Sequence, residues 1–189
     1  MEELVLKSIH GDDTAYSELI STIQNDLYRV AQARLDNHED VNDALQQTVI
    51  YAYKNIKQLR KPKYFKTWII KILINECNKI YQQNYKKNNI FNRLLNKNVD
   101  SKNSFDDYTN INEKVDLENI LNKLNYDERI CIVLFYNSGY SALEIADILH
   151  SNENTIRSRI ARAKVKIKNM LDKGGSKNEI TKQWIWRNW

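Results

Sequence analysis

Turn-formers are scarce in this chain: four glycines and one proline among 189 residues. Apolar residues meanwhile recur at spacings of three and four almost throughout, which argues for helices and against sheets. Cysteine is nearly absent too. Cys77 and Cys131 lie far apart, each inside an apolar helical pattern and neither in a CxxC pair, so the pattern supports no disulfide framework and no cysteine-based metal site, and buried reduced thiols are expected. The three histidines, His10, His38 and His150, are scattered and no HExxH occurs, leaving no metal site to argue for. No apolar run approaches the roughly 20 residues that a bilayer-spanning helix needs. The acidic opening MEELVLKSIHGDD is unlike a signal peptide, so a cytoplasmic protein is expected. Neither basic region carries the clustered acids, or the nucleophile with its base, that an enzyme acting on nucleic acid would need. Catalysis, a cofactor and a small-molecule substrate are therefore not expected.

What is present is positive charge in two places. Lys and Arg number 29 against 24 acids, a formal charge of +5, and the distribution says more than the total. From Ala44 to Asn75 there is no acid, while Lys54, Lys57, Arg60, Lys61, Lys63, Lys66 and Lys71 accumulate. A second run holds Arg157, Arg159, Arg162, Lys164, Lys166 and Lys168. Two dense basic segments suit a polyanionic partner.

Periodicity divides the chain. A first helix, EELVLKSIH, is expected to stop at Gly11, with Asp12 or Asp13 capping the next, TAYSELISTIQNDLYRVAQARL, whose buried stripe is Leu19, Ile23, Leu27, Val30 and Ala31. A third helix runs on as ALQQTVIYAYKNIKQL, and Pro62 marks a break. A fourth, YFKTWIIKILINECNKIYQQN from about Tyr64, is apolar on most of its circumference and is expected at the centre of an N-terminal core. From Asn84 to Asn112 the pattern decays into Asn, Lys and Asp, the composition of a linker. Helical spacing resumes at about Glu113. The expected organisation is all-α: a helical domain over 1–84, a linker over 85–112, a second small helical domain over 113–173, and a tail over 174–189. The tail, GGSKNEITKQWIWRNW, ends in three tryptophans, for which a passive terminus and docking on a groove of this chain or of a partner both stand open, docking being preferred to a membrane-surface anchor.

The second basic run belongs to the stretch YSALEIADILHSNENTIRSRIARAKVKIKNML, where a short polar turn separates an acidic helix from a basic one. Ser141 with Glu144 makes a capping box. After the break at Ser151 to Glu153, residues Ile156, Ile160, Ala163, Ile167 and Met170 or Leu171 share one helical face. Asn154, Thr155, Arg157, Ser158 and Arg162 stand on the other side. Amide, hydroxyl and guanidinium groups in the N-terminal half of such a helix suit base edges and phosphates in a major groove. A solvated basic face on an ordinary hairpin would share the charge; capping, turn and periodicity together favour DNA.

These residues carry a resemblance. The run from Leu124 to Leu171 resembles the region-four domain of extracytoplasmic-function sigma factors, with Gly139, Tyr140, Ser141, Glu144, Ile145, Ala146, Thr155, Ile156, Arg157, Ser158, Arg159, Ala163 and Lys164 in the family's places. The N-terminal half supplies the other domain. EDVNDALQQTVIYAYKNI is similar to sigma region 2.2, with Asp43, Gln46 and Thr48 in register, and YFKTWIIKILINECNKI resembles region 2.3 through Phe65, Thr67, Trp68, Ile72 and Asn75. Gln47 stands where the family usually has Glu, Val49 where it has Phe, and Asn154 where Gly is frequent. The resemblance covers roughly Glu3 to Leu171.

By that resemblance the partners are the RNA polymerase core, promoter DNA and an anti-sigma factor. Asp43, Gln46 and Gln47 would face the clamp helices of the largest polymerase subunit. Asn55, Lys57, Gln58, Arg60, Lys61, Lys63, Tyr64 and Asn75 would handle the minus-10 element, where a base held out of the stack needs polar contacts and positive charge along the strand. Trp68, sharing a face with Phe65, Ile69 and Ile72, is read as core. Asn154, Thr155, Arg157, Ser158, Arg159 and Arg162 would read the minus-35 element, and VLFYNSGYS would dock on the flap of the second-largest subunit. In the linker, Asp100, Asp106 and Asp107 would mimic nucleic acid or merely lie on a tether. The competing reading, a conventional helix-turn-helix regulator, would need an effector or receiver domain that the first half does not suggest.

Overall fold

The structure is a computed structural model that describes residues 1–94 and 117–173. The expectations for Asp100, Asp106 and Asp107 and for the tryptophan tail lie outside those residues. Among the described residues there is no strand.

Helix α1 (Glu2–Ile9) ends where expected: Gly11 takes φ 95 and the Asp12 N–H reaches back to the Lys7 carbonyl, a turn that glycine makes without a Cβ penalty. The Asp12 carboxylate then accepts from the Ala15 N–H at 2.9 Å and starts α2 (Asp13–Gln32). Its expected stripe of Leu19, Ile23, Leu27, Val30 and Ala31 is buried. Helix α3 (His38–Asn55), capped by the Asn37 side chain, turns Val41, Ala44, Thr48 and Ala52 inward. Two short 3-10 turns, Ile56–Gln58 and Pro62–Tyr64, carry the chain around Pro62 into α4 (Phe65–Leu94). Helix α4 packs against both α2 and α3, and Phe65, Ile69, Ile70 and Leu73 are fully buried, which makes it the centre of the first domain. Trp68 is half-buried against that core, its ring 6.0 Å from Phe65.

One boundary differs. The helix continues ten residues beyond position 84, where the linker was expected to begin, to Leu94, the last described residue before 117. Neither Gly nor Pro occurs between Lys63 and Ser138, so nothing in this polar stretch terminates a helix. The Asn84 amide also donates to the Asp40 carboxylate at 2.7 Å and ties the extension to α3.

The second half holds α5 (Leu117–Asn122), α6 (Tyr126–Ile132), a single π-helical turn (Val133–Asn137), α7 (Ala142–Ile148) and α8 (Glu153–Lys173). Helices α6 and α7 both pack on α8. Cys77 and Cys131 are free and buried, one in each half. Burial pushes the Cys77 thiol up to about 12 and Cys131 to about 11, so neither ionises readily near neutrality.

Candidate nucleic-acid interface

The helix-turn-helix is closed at both joints by local chemistry. Ser141 and Glu144 form the reciprocal capping box: the Ser141 N–H donates to the Glu144 carboxylate at 2.8 Å and the Glu144 N–H to the Ser141 hydroxyl at 3.3 Å. Those bonds hold the Glu144 carboxyl below its usual value. Helix α7 stops where His150 adopts φ 50, and the Ser151 N–H returns to the Ala146 carbonyl at 2.9 Å. Glycine is the common residue for that left-handed position; histidine takes it here. The Asn152 side chain accepts from the Asn154 N–H at 2.8 Å and opens α8.

On α8, Ile156, Ile160, Ala163, Ile167 and Leu171 are buried, and Met170 is intermediate. Asn154, Thr155, Arg157, Ser158 and Arg162 are exposed on the other side. The cations of this helix fall into two groups. Arg157, its side chain 66% exposed, pairs only within its own helix face, with Glu153 at 2.5 Å. Arg159 is 22% exposed and donates to Asp127 of α6 at 2.7 Å. Arg162 lies 3.8 Å from the Glu128 carboxylate and Lys166 donates to it at 2.7 Å, although Glu128 itself is only 2% exposed. Asp127 and Glu128 were not singled out in the sequence; the signal was their place in the first turn of a capped helix, where acids commonly sit to meet N–H groups. Here they also fix the α8 cations. The Ser158 hydroxyl bonds back to the Asn154 carbonyl at 2.7 Å, leaving its lone pairs outward.

The acid-free segment wraps the end of α3 and the start of α4. Ile56 is buried and anchors it, while Lys57, Gln58, Arg60, Lys61, Lys63 and Tyr64 face solvent. Tyr64 is 50% exposed with the Lys63 ammonium 4.9 Å from its ring centroid. That pair offers a flat ring beside a charge, the elements of a stacking platform. Asn55 is less available: its amide donates to the Tyr51 carbonyl at 2.8 Å and accepts from Gln58 at 2.9 Å. Asn75 is exposed one turn after Lys71 on α4, and Lys71 is bound to Asp147 of α7 at 2.7 Å.

On α3, Asp43, Gln46 and Gln47 are exposed and share an outer face with Ile50 and Tyr53, which are 40% and 48% exposed. Thr48, in register with the same motif, points the other way: it is fully buried and bonds to the Ala44 carbonyl.

Two family models match this arrangement half by half: Sigma-70 region 2 over residues 19–86 and Sigma-70, region 4 over residues 114–167. The chain belongs to the sigma-70 family. It is 28% identical over 184 residues to an ECF RNA polymerase sigma-E factor of Haemophilus influenzae, covering 90% of this chain and 94% of that one. It is 23% identical over 176 residues to the ECF RNA polymerase sigma factor SigM of Mycobacterium tuberculosis, covering 89% and 83%. The sigma factor RpoE of Bartonella quintana, solved in complex with the anti-sigma factor NepR, superposes with a TM-score of 0.64 at 23% identity, over 83% of this chain and 96% of that one. In sigma-factor terms the helix-turn-helix of α7 and α8 lies in region 4, and α3, the basic segment and most of α4 lie in region 2.

Proposed function

We propose that this sigma factor is a dissociable specificity subunit of RNA polymerase, with region 2 binding the core and the minus-10 element and region 4 binding the minus-35 element. The observation that carries the reading is the pairing, in one chain, of a capped helix-turn-helix with exposed Asn154, Thr155 and Arg157 and a second helical domain with an acid-free basic rim. Arg157 and Asn154 take base edges; Arg162, its side chain 60% exposed, lies further along α8, where phosphate contact suits it. On region 2, Lys57, Arg60, Lys61 and Lys63 follow the strand backbone and Tyr64 stacks on an unpaired base. The outer face of α3, with Asp43, Gln46 and Gln47, meets the polymerase clamp, and Ile50 extends it with apolar area. The chemistry of transcription belongs to the polymerase, so the chain needs no catalytic group, and its place of action is the cytoplasm where the polymerase works. The complex of the Bartonella relative with NepR supports an anti-sigma factor as a further partner.

Co-purification with core polymerase, followed by run-off transcription from a genomic library with reconstituted enzyme, tests this. Near-stoichiometric core and start sites that depend on the added chain are expected. Duplex DNA binding without any polymerase association would refute it and point to a conventional helix-turn-helix regulator.

A further inference from the structure

A cavity of about 490 Å³ lies among α2, α3, α5, α6 and the π-helical turn. None of the residues assigned above to DNA or to the clamp lines it. Its volume is that of a small-ligand site. No motif announces it, because the walls come from positions 29–41 and 121–137, far apart in the chain. Those walls are of two kinds. Leu35, Val41, Leu121, Ile132 and Val133 supply apolar surface, and all but Leu121 are buried. Arg29 and Arg129 supply two guanidinium groups, and Asp36 is the only acid in the lining among the described residues.

Neither guanidinium is well matched by the protein. A buried cation needs close pairing, and Arg129, only 5% exposed, is incompletely paired. Its Nη1 donates at 3.1 Å to Asp36, whose side chain is 61% exposed and so shares its charge with water. Its Nη2 makes a long bond of 3.4 Å to the Leu124 carbonyl. Its Nε–H finds no acceptor among the described residues. Arg29 is exposed and donates to the side-chain oxygen of Asn137 at 2.6 Å, a neutral partner. Among the described residues no carboxylate forms an ion pair with it. The lining therefore carries more positive than negative charge beside an apolar wall. A cation would be repelled there, a neutral apolar molecule would leave both guanidiniums as they are, and a bare anion would leave the apolar wall wet. A carboxylate on a hydrocarbon body answers both features: it matches the guanidinium fork, and its chain covers the leucine and isoleucine surface.

We propose that this cavity binds a small amphiphilic carboxylate, with the acid group on Arg129 and Arg29 and the aliphatic body against Leu35, Val41, Leu121 and Ile132. Because Arg29 is exposed, the charged end lies toward the rim. Such a site needs neither promoter nor polymerase, so its failure leaves the sigma-factor reading untouched.

The test is titration calorimetry on the full-length chain with decanoate, kept below the concentration at which it forms micelles. Decylamine and decanol carry the same chain with a cationic or a neutral head, and acetate and inorganic phosphate carry the charge without the chain. Decanoate is expected to bind at least about tenfold more tightly than any of these four. Arg29→Gln, at an exposed position, should weaken decanoate by at least about threefold. Leu121→Trp, which fills the cavity, should weaken it by at least about tenfold, with the helical circular dichroism spectrum checked first. Lys86→Gln, which removes an exposed cation of α4 outside the lining, should change nothing. Decanol binding as tightly as decanoate overturns recognition of the acid, and acetate or phosphate binding as tightly overturns the role of the apolar wall. Unchanged decanoate affinity in Arg29→Gln, or in a folded Leu121→Trp chain, places the acid elsewhere and overturns the site. If Leu121→Trp does not fold, Arg29→Gln against Lys86→Gln decides. No binding by any acid in a series from hexanoate to tetradecanoate also overturns it.

Discussion

Replacing Arg157 and Arg159 one at a time by alanine separates reading from scaffolding on α8. Arg157 is 66% exposed and its carboxylate partner, Glu153, is one turn earlier on the same helix. Exposed pairs of that spacing are worth about 0.3–0.5 kcal/mol, so little opposes its transfer to DNA. If it forks onto a guanine, Arg157→Ala costs about 1–3 kcal/mol at that base pair, roughly 5- to 150-fold in discrimination. Arg159 is held differently: its side chain is 22% exposed and bonded to Asp127 at 2.7 Å, and Asp127 is also 3.7 Å from Arg34. Removing it takes away packing as well as charge, so Arg159→Ala is expected to lower stability by about 1 kcal/mol with little change in base preference. The assay is competition binding of reconstituted holoenzyme to a library randomised across the minus-35 element, at several salt concentrations. Arg157→Ala should flatten preference at one position. A uniform loss with a salt slope shallower by about 0.9 would instead assign it to a phosphate. If Arg159→Ala changes base preference and Arg157→Ala changes nothing, the division of the α8 cations into outward and scaffold-bound groups is wrong.

Charge reversal at Asp43 together with Gln46→Ala should abolish assembly with core polymerase in pull-down, with the helical circular dichroism spectrum unchanged, because both side chains are exposed. Ile156→Ala, at a fully buried position between α8 and its neighbours, should destabilise region 4 by about 2–5 kcal/mol in denaturant unfolding. Ser141→Ala removes the capping-box hydroxyl and should cost about 0.5–2 kcal/mol. Because Glu144 is held below its ordinary value by the Ser141 bonds, its contribution is present above the unfolded-state value and is lost as pH falls through the lowered one. Glu144→Gln should therefore reduce the acid-side loss of melting temperature.

The features legible in the sequence were those with a local cause. The Gly11 stop, the Asp12 cap, the buried stripe from Leu19 to Ala31 and the Ser141 capping box all follow from residues within a turn or two of one another. The central role of α4 was legible because its apolar residues run around most of its circumference. The continuation of α4 past position 84 was not. Its polar extension to Leu94 has a linker's composition, and what distinguishes it is the lack of any terminator plus one contact from Asn84 to Asp40, 44 positions away. The π-helical turn at Val133–Asn137 was hidden because its apolar residues fit an ordinary helix; it packs on α2 and on α7.

Site residues divide along the same line. Exposure of Asn154, Thr155 and Arg157 could be read from the helical phase of Ile156, Ile160 and Ala163, since the buried face fixes the outer one. Which cations are available could not, because their partners come from elsewhere in the chain: Asp127 for Arg159, 32 positions away, Glu128 for Lys166, 38 away, and Asp147 for Lys71, 76 away. Counting basic residues therefore overstates the free charge of both surfaces. The acids that reduce it differ in what they join: Glu128 ties α6 to α8 inside region 4, Asp127 does the same while also standing 3.7 Å from Arg34 of region 2, and Asp147 joins region 4 to region 2. Lys71, in the basic run of region 2, is therefore already paired with an acid of region 4, while Arg159 and Lys166 are paired inside region 4.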